Sequence, residues 1–150
     1  MESGRVEGIF IGPAEALPAP VDRVRALAGR GLEGNARHFY DDAGPGKALT
    51  LIAAEALAGL EADTGIRISA AESRRNVLTR GIDLNALVGK RFRVGDVECE
   101  GVELCEPCTT LQSLTQPGVL KGLVHRGGLN ADILSDGEIA VGDPVVADTT

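Results

Sequence analysis

The apolar residues of this chain fall in short runs, and most runs end at a glycine or proline. That spacing limits the fold more than any composition figure does. Glycine takes the positive φ angles that tight turns need, so a chain punctuated this often favours short strands joined by turns over long helices. Gly4 to Ile11 reads as a strand, with Val6, Ile9 and Ile11 as its apolar members and Gly12-Pro13 as its stop. Ala48 to Ile52, Arg75 to Thr79 and Gly128 to Leu134 read as three more. Arg91 to Val94 and Val97 to Leu104 flank Gly95-Asp96, a pair suited to a hairpin turn. The same device recurs where Ile139 to Val141 and Val145 to Ala147 flank Gly142-Asp143. The echo is short; it supports two similar β-turns, not a duplicated domain.

Helical signals are fewer. Ala53 to Thr64 carries Ala53, Ala56, Leu57 and Leu60 at three- and four-residue spacing, and Gly65 suits its end. Asp83 is placed to cap a short helix through Val88, closed by Gly89, and Pro117 to His125 reads as another short helix. Residues 13–20, Gly29 to Asn35 and Asp41 to Gly46 read as loops and turns. Strict alternation of strand and helix is missing, which argues against a Rossmann-type sheet. The expected fold is mainly β with a few short helices, closed or partly closed into a barrel. At 150 residues a single domain, 1–150, is expected, and with aromatics at 3% its core must be built from Val, Leu, Ile and Ala.

The formal net charge of -7 excludes a broad nucleic-acid surface, which needs a positive field. No apolar run is long enough for a membrane span, and the first residues lack a secretory apolar stretch, so a cytoplasmic protein is expected. There Cys99, Cys105 and Cys108 would stay reduced, and an odd, closely spaced set suits thiol or metal chemistry better than a disulfide framework.

Three segments are candidates for chemistry. Cys105-Glu106-Pro107-Cys108 follows the strand Val97 to Leu104, and Pro107 stiffens the approach to Cys108. A thiolate there would be nucleophilic, able to form a persulfide or bind a soft metal. The plainer alternative is that the cysteines are small buried apolar residues. A structural zinc site would have to draw its four ligands from Cys99, Cys105, Cys108 and His125 or His38, with no second Cys-x-x-Cys to help. Thioredoxin-like redox chemistry expects the pair at a helix start in an α/β fold, which the order of elements does not offer. The second segment holds Arg74, Arg75, Arg80, Lys90, Arg91 and Arg93 with the single acid Asp83, a local reversal of charge in an acidic chain. Lys90, Arg91 and Arg93 fit a solvated strand face. Arg75, Asn76 and Arg80 flank an apolar strand and are the better anion ligands. The third is His125-Arg126-Gly127-Gly128, where paired glycines allow close backbone approach to a ligand and Arg126 would reach an anion; a simple helix-to-strand turn accounts for it equally well. His38, beside Phe39-Tyr40, reads as packing, and Glu55 as a polar residue in its helix's first turn.

Taken in order, these pieces resemble the MOSC family (molybdenum-cofactor sulfurase C-terminal domain) in a small stand-alone form. The resemblance is carried by Leu49-Thr50-Leu51-Ile52-Ala53-Ala54-Glu55, by Arg74-Arg75-Asn76-Val77-Leu78-Thr79-Arg80-Gly81-Ile82-Asp83-Leu84-Asn85 with Leu87-Val88-Gly89-Lys90-Arg91-Phe92, by Cys105-Glu106-Pro107-Cys108, by His125-Arg126-Gly127-Gly128-Leu129 and by Ile139-Ala140-Val141-Gly142-Asp143. It extends from about Gly31 to Val146. It implies a MOSC-type β-barrel and a role around the molybdenum cofactor (molybdopterin) or sulfur transfer, with Cys108 as metal ligand or persulfide carrier. Arg75, Asn76, Arg80, Arg126, Gly127 and Gly128 would hold the pterin phosphate. It leaves open a molybdenum-cofactor-dependent oxidoreductase, a sulfur transferase, and a non-catalytic carrier that docks on a cysteine desulfurase or a redox partner. Where relatives show Gly-Asp and then Arg-His, this chain has Gly34-Asn35-Ala36-Arg37-His38, which loses an acid. Pyridoxal phosphate is not expected, because no desulfurase domain with a Schiff-base lysine is present.

Overall fold

The computed structural model describes residues 3–13, 16–107 and 109–148, with all their side chains except those of Arg37, Thr109 and Thr110. Eleven strands are described: β1 (Ser3–Ile11), β2 (Ala19–Val21), β3 (Arg23–Leu27), β4 (Gly31–Leu32), β5 (Leu49–Ala53), β6 (Val77–Arg80), β7 (Arg91–Val94), β8 (Val97–Leu104), β9 (Leu129–Ile133), β10 (Gly137–Ala140) and β11 (Pro144–Ala147). Four helices accompany them: α1 (Ala54–Thr64), α2 (Ala70–Ser73), α3 (Thr109–Leu114) and α4 (Val119–Gly122). No helix among the described residues is long and apolar enough to cross a membrane.

The sheet runs β11-β7-β8-β9-β5-β6-β1, and β1 pairs back onto β11, so seven strands close on themselves. Closure rests on Ser3 to Arg5 facing Pro144 to Val146. Only β5 and β6 are parallel, joined by the segment that holds α1 and α2; the other barrel pairings are antiparallel. A barrel removes the unpaired edges that an open sheet of short strands would expose. Alternate side chains point inward, and Val6, Ile9, Leu51, Val77, Phe92 and Val97 are essentially inaccessible there. Leu60, Ile68, Leu111, Val119 and Leu123 form a second cluster where α1, α3 and α4 pack outside the barrel.

Several elements fall where the sequence puts them. Gly65 ends α1 at φ +78°, donating to the Glu61 carbonyl at 2.8 Å. Asp83 caps the turn after β6 by accepting from Asn85 N–H at 3.1 Å, although that turn (Leu84–Leu87) is a 3₁₀ helix. The Gly95-Asp96 hairpin joins β7 to β8 as expected. The second Gly-Asp pair is not a hairpin between neighbours. Strand β10 pairs with β3, in a separate sheet with β4, whereas β11 enters the barrel between β1 and β7. The reason is local: Gly142 N–H donates to Val6 O and Val6 N–H to Asp143 O, so the turn is stitched onto β1 and redirects the chain. Strand β3 lies outside the segments read as strands from sequence, although the alternation Arg23-Val24-Arg25-Ala26 carries its period of two.

Candidate functional site

The cysteine loop is fastened to the turn before β9. Cys105 N–H donates to Gly128 O at 2.8 Å. The Arg75 guanidinium spans three carbonyls: Nε donates to Gly127 O at 2.8 Å, Nη2 to Cys105 O at 3.0 Å and Nη1 to Ser73 O at 3.2 Å. On the outer side the Glu106 carboxylate accepts from His125 N–H at 2.7 Å and shares a 2.8 Å hydrogen bond with His125 Nδ1. His125 holds φ +64°, a left-handed conformation that non-glycine residues seldom adopt. The two glycines are required by crowding. A Cβ on Gly127 would stand 2.5 Å from Cys105 O and 2.9 Å from Pro107 Cδ; one on Gly128, at φ +121°, would strike Leu51 O. Cys108 itself lies outside the described residues.

Beside this junction is a cleft of about 300 Å³ whose walls include His38, Lys47, Thr50, Arg74, Arg75 and Cys105. Three cations on one cleft wall stand out in a chain of net charge -7. Glu103 is the acid that joins them there. Arg74 is set by the end of α2. The helix opens with a capping box, in which Ser69 accepts from Glu72 N–H and Glu72 from Ser69 N–H, and stops at Arg74 in a left-handed conformation, φ +63°. Arg74 Nη1 donates to Ala16 O at 3.3 Å; its Nε is buried and has no hydrogen-bond partner among the described residues. A buried guanidinium N–H without an acceptor is costly, and Arg74 also lines a second, very small cavity with Asn35, whose Nδ2 is likewise buried without a partner among the described residues.

The remaining sequence candidates lie elsewhere. Asn76 is buried as a tie between strands: its Oδ1 accepts from Thr50 N–H at 3.4 Å and Thr50 Oγ1 at 3.1 Å, and Nδ2 donates to Phe10 O at 3.1 Å. Arg80 is exposed and donates through Nε to Glu7 at 2.6 Å, which holds the Glu7 carboxyl below its ordinary pKa, with the hydrogen bond from Arg80 as the largest cause. Arg126 donates to Gly122 O and to Asp63, each at 2.8 Å, and lines a different cleft of about 400 Å³ with Glu55, Asp83 and Asn85. Lys90, Arg91 and Arg93 are exposed, the last two on the outer face of β7. Cys99 lies in the barrel core, where burial first and then the charges of Asp132 and Glu98 push its thiol pKa up to about 12. No three His, Cys, Asp or Glu side chains among the described residues are grouped to hold a metal. Sequence reasoning passed over Lys47, Thr50 and Asn130 as cleft residues and favoured Arg75 over Arg74. The available signal was Gly46-Lys47 in the loop leading into β5, whose Gly46 N–H is held by Asp132 at 2.8 Å.

A small closed β-barrel with a cysteine loop pinned beside a cationic cleft is the class of protein these features define. The chain belongs to the MOSC domain family, whose model matches residues 37–146. Among solved structures it is similar to the YuaD protein of Bacillus subtilis, at TM-score 0.83 and 17% identity over 99% of this chain and 97% of that one. It is also similar to YiiM of Geobacillus stearothermophilus, at TM-score 0.76 and 18% identity over 97% and 75% of the two chains. YiiM of Escherichia coli matches at TM-score 0.71 and 18% identity over 97% and 70%. At these identities the likeness establishes the shared fold. No curated protein matches the sequence.

Proposed function

We propose that the cleft beside Cys105 binds the molybdenum cofactor, with the thiolate of Cys108 as the protein's ligand to the metal. The observation that carries this reading is the convergence of Lys47, Arg74 and Arg75 on the one cleft that also holds Cys105, three residues before Cys108. The residues present fit the group. Arg74 and Lys47 bring two cations to the lining of the cleft, Arg74 has a guanidinium N–H that no carbonyl or carboxylate among the described residues claims, and phosphate is the anion that suits a guanidinium best. Lys47 and Arg74 would hold the phosphate, with Arg75 adding charge behind them, while Asn130 supplies a neutral hydrogen-bonding group. Arg80 and Arg126 are engaged with Glu7 and Asp63, and Asn76 with the barrel strands, so the anion is assigned to Lys47 and Arg74 instead. When bound, the cofactor supplies two-electron redox chemistry, and the protein's part is to bind, orient and shield it.

The test is metal and pterin analysis of protein purified from cells able to make the cofactor. Stoichiometric molybdenum and pterin, lost in Cys108→Ser and reduced in Arg74→Ala, is the expected result. Cyanide-releasable sulfur without molybdenum would replace this reading with that of a persulfide carrier. Wild-type levels of both molybdenum and pterin in Cys108→Ser would overturn the assignment of the ligand.

A further inference from the structure

We infer that Arg75 is a positioning residue whose guanidinium locks the cysteine loop to the Gly127-Gly128 turn, so that the chain is held on one fixed path as far as Pro107, the residue before Cys108. The inference rests on the reading of Cys108 as the residue that does chemistry, and it assigns Arg75 a role that charge alone does not describe.

The geometry is that of a staple. A guanidinium has five N–H donors in a rigid plane, and here three of them go to carbonyls of three separate segments: the end of α2, the cysteine loop and the turn before β9. Lysine has no planar fork with which to span them. The same loop and turn are joined twice more, by Cys105 N–H to Gly128 O and by Glu106 to both His125 N–H and Nδ1. Gly127 is buried against Cys105 O and Pro107, so the loop lies flush on the turn with no room for a side chain between them. Pro107 fixes its own φ. Ties through Cys105 and Glu106 and the seating of Pro107 thus define the backbone up to the residue before Cys108. An Arg engaged in this way spends its directional hydrogen bonds on the protein. Arg75 is accordingly half-buried among the residues that line the cleft.

The experiment uses cofactor-free protein, so it stands apart from the cofactor analysis: either can fail while the other succeeds. Arg75→Lys and Arg75→Gln are compared with wild type by amide hydrogen exchange and by iodoacetamide labelling resolved cysteine by cysteine. Cys99, buried in the barrel, is the internal control for an intact fold. In both variants the Cys105 amide is expected to exchange about tenfold faster or more, and the Cys108 labelling rate to change by about threefold or more, while Cys99 stays protected. Restoration of wild-type values by Lys would overturn the inference, because charge and not the fork would then be sufficient. Unchanged Cys105 exchange or unchanged Cys108 labelling in Arg75→Gln overturns it equally. Should Cys99 become reactive in Arg75→Gln, the decision passes to Arg75→Lys, which keeps the charge and the alkyl stem and removes the fork: faster Cys105 exchange with an altered Cys108 rate and a protected Cys99 supports the staple, and wild-type behaviour overturns it.

Discussion

Raising the pH should destabilise this protein through Cys99, a residue with no part in the proposed chemistry. In the unfolded chain the thiol ionises near its ordinary pKa of about 8.5. In the folded barrel, burial pushes it up to about 12. Between those values the unfolded chain releases a proton that the folded chain keeps, so stability falls as pH rises, by about 1.4 kcal/mol per unit. Below about 8.5 the effect is absent, and near 12 it levels off. At pH 10.5, well inside the window, the loss attributable to this thiol is roughly 2–3 kcal/mol, a sizeable share of a typical domain's 5–15 kcal/mol. The assay is urea denaturation followed by circular dichroism, for wild type and Cys99→Ala, at pH 7.5 and 10.5. Alanine gives up packing on the order of 1 kcal/mol at both pH values but has nothing to ionise. Wild type should therefore be the more stable protein at pH 7.5 and the less stable at pH 10.5. Parallel pH dependence in the two proteins would refute the reasoning, since it would mean the thiol ionises as readily folded as unfolded.

Other expected outcomes follow from the same hydrogen bonds and contacts. Asn76→Ala should cost about 2–4 kcal/mol in urea denaturation, because it leaves Phe10 O and the Thr50 donors unpaired in a buried place. Gly128→Ala should cost about 3 kcal/mol or more, or prevent folding, since it combines a positive φ with a collision against the Leu51 carbonyl; soluble yield and melting curves will show it. Arg80→Gln should leave the denaturation midpoint at pH 7 nearly unchanged, because its partner pair is open to water. Its effect should appear in acid: the Glu7 carboxyl is held low by Arg80, so its contribution is present above the unfolded carboxylate pKa of about 4.3 and is lost as pH falls through the folded value, and the variant should lack that part of the acid limb.

The barrel was legible because its instructions are local. Gly95-Asp96 dictates a hairpin, Gly65 a helix stop and Asp83 a cap, and each acts within a few residues of itself. The partner of β10 was not legible, because it depends on the Gly142-Asp143 turn meeting Val6 in β1, a segment remote in sequence. The cleft was half legible for the same reason. A run of arginines announces a cationic surface, but which arginine keeps a donor to spare depends on acceptors supplied by distant segments. Arg75 finds Gly127 O and Cys105 O, Arg80 finds Glu7, and Arg126 finds Asp63, while Arg74 keeps one N–H unclaimed among the described residues. Asn76 looks like a ligand in sequence because it neighbours those arginines; its strand turns it toward Thr50 and Phe10.

The pairing of Ser3 to Arg5 with Pro144 to Val146 has a consequence for biosynthesis. A nascent chain that has not yet delivered β11 holds a sheet open between β1 and β7, with rows of backbone donors and acceptors facing water on both sides. Until the ribosome releases the closing strand, those rims are adhesive toward one another and toward neighbouring chains, and few contacts of short sequence separation are at hand to hold the cylinder shut. Chaperone dependence and inclusion-body formation should accordingly track how quickly that last strand emerges.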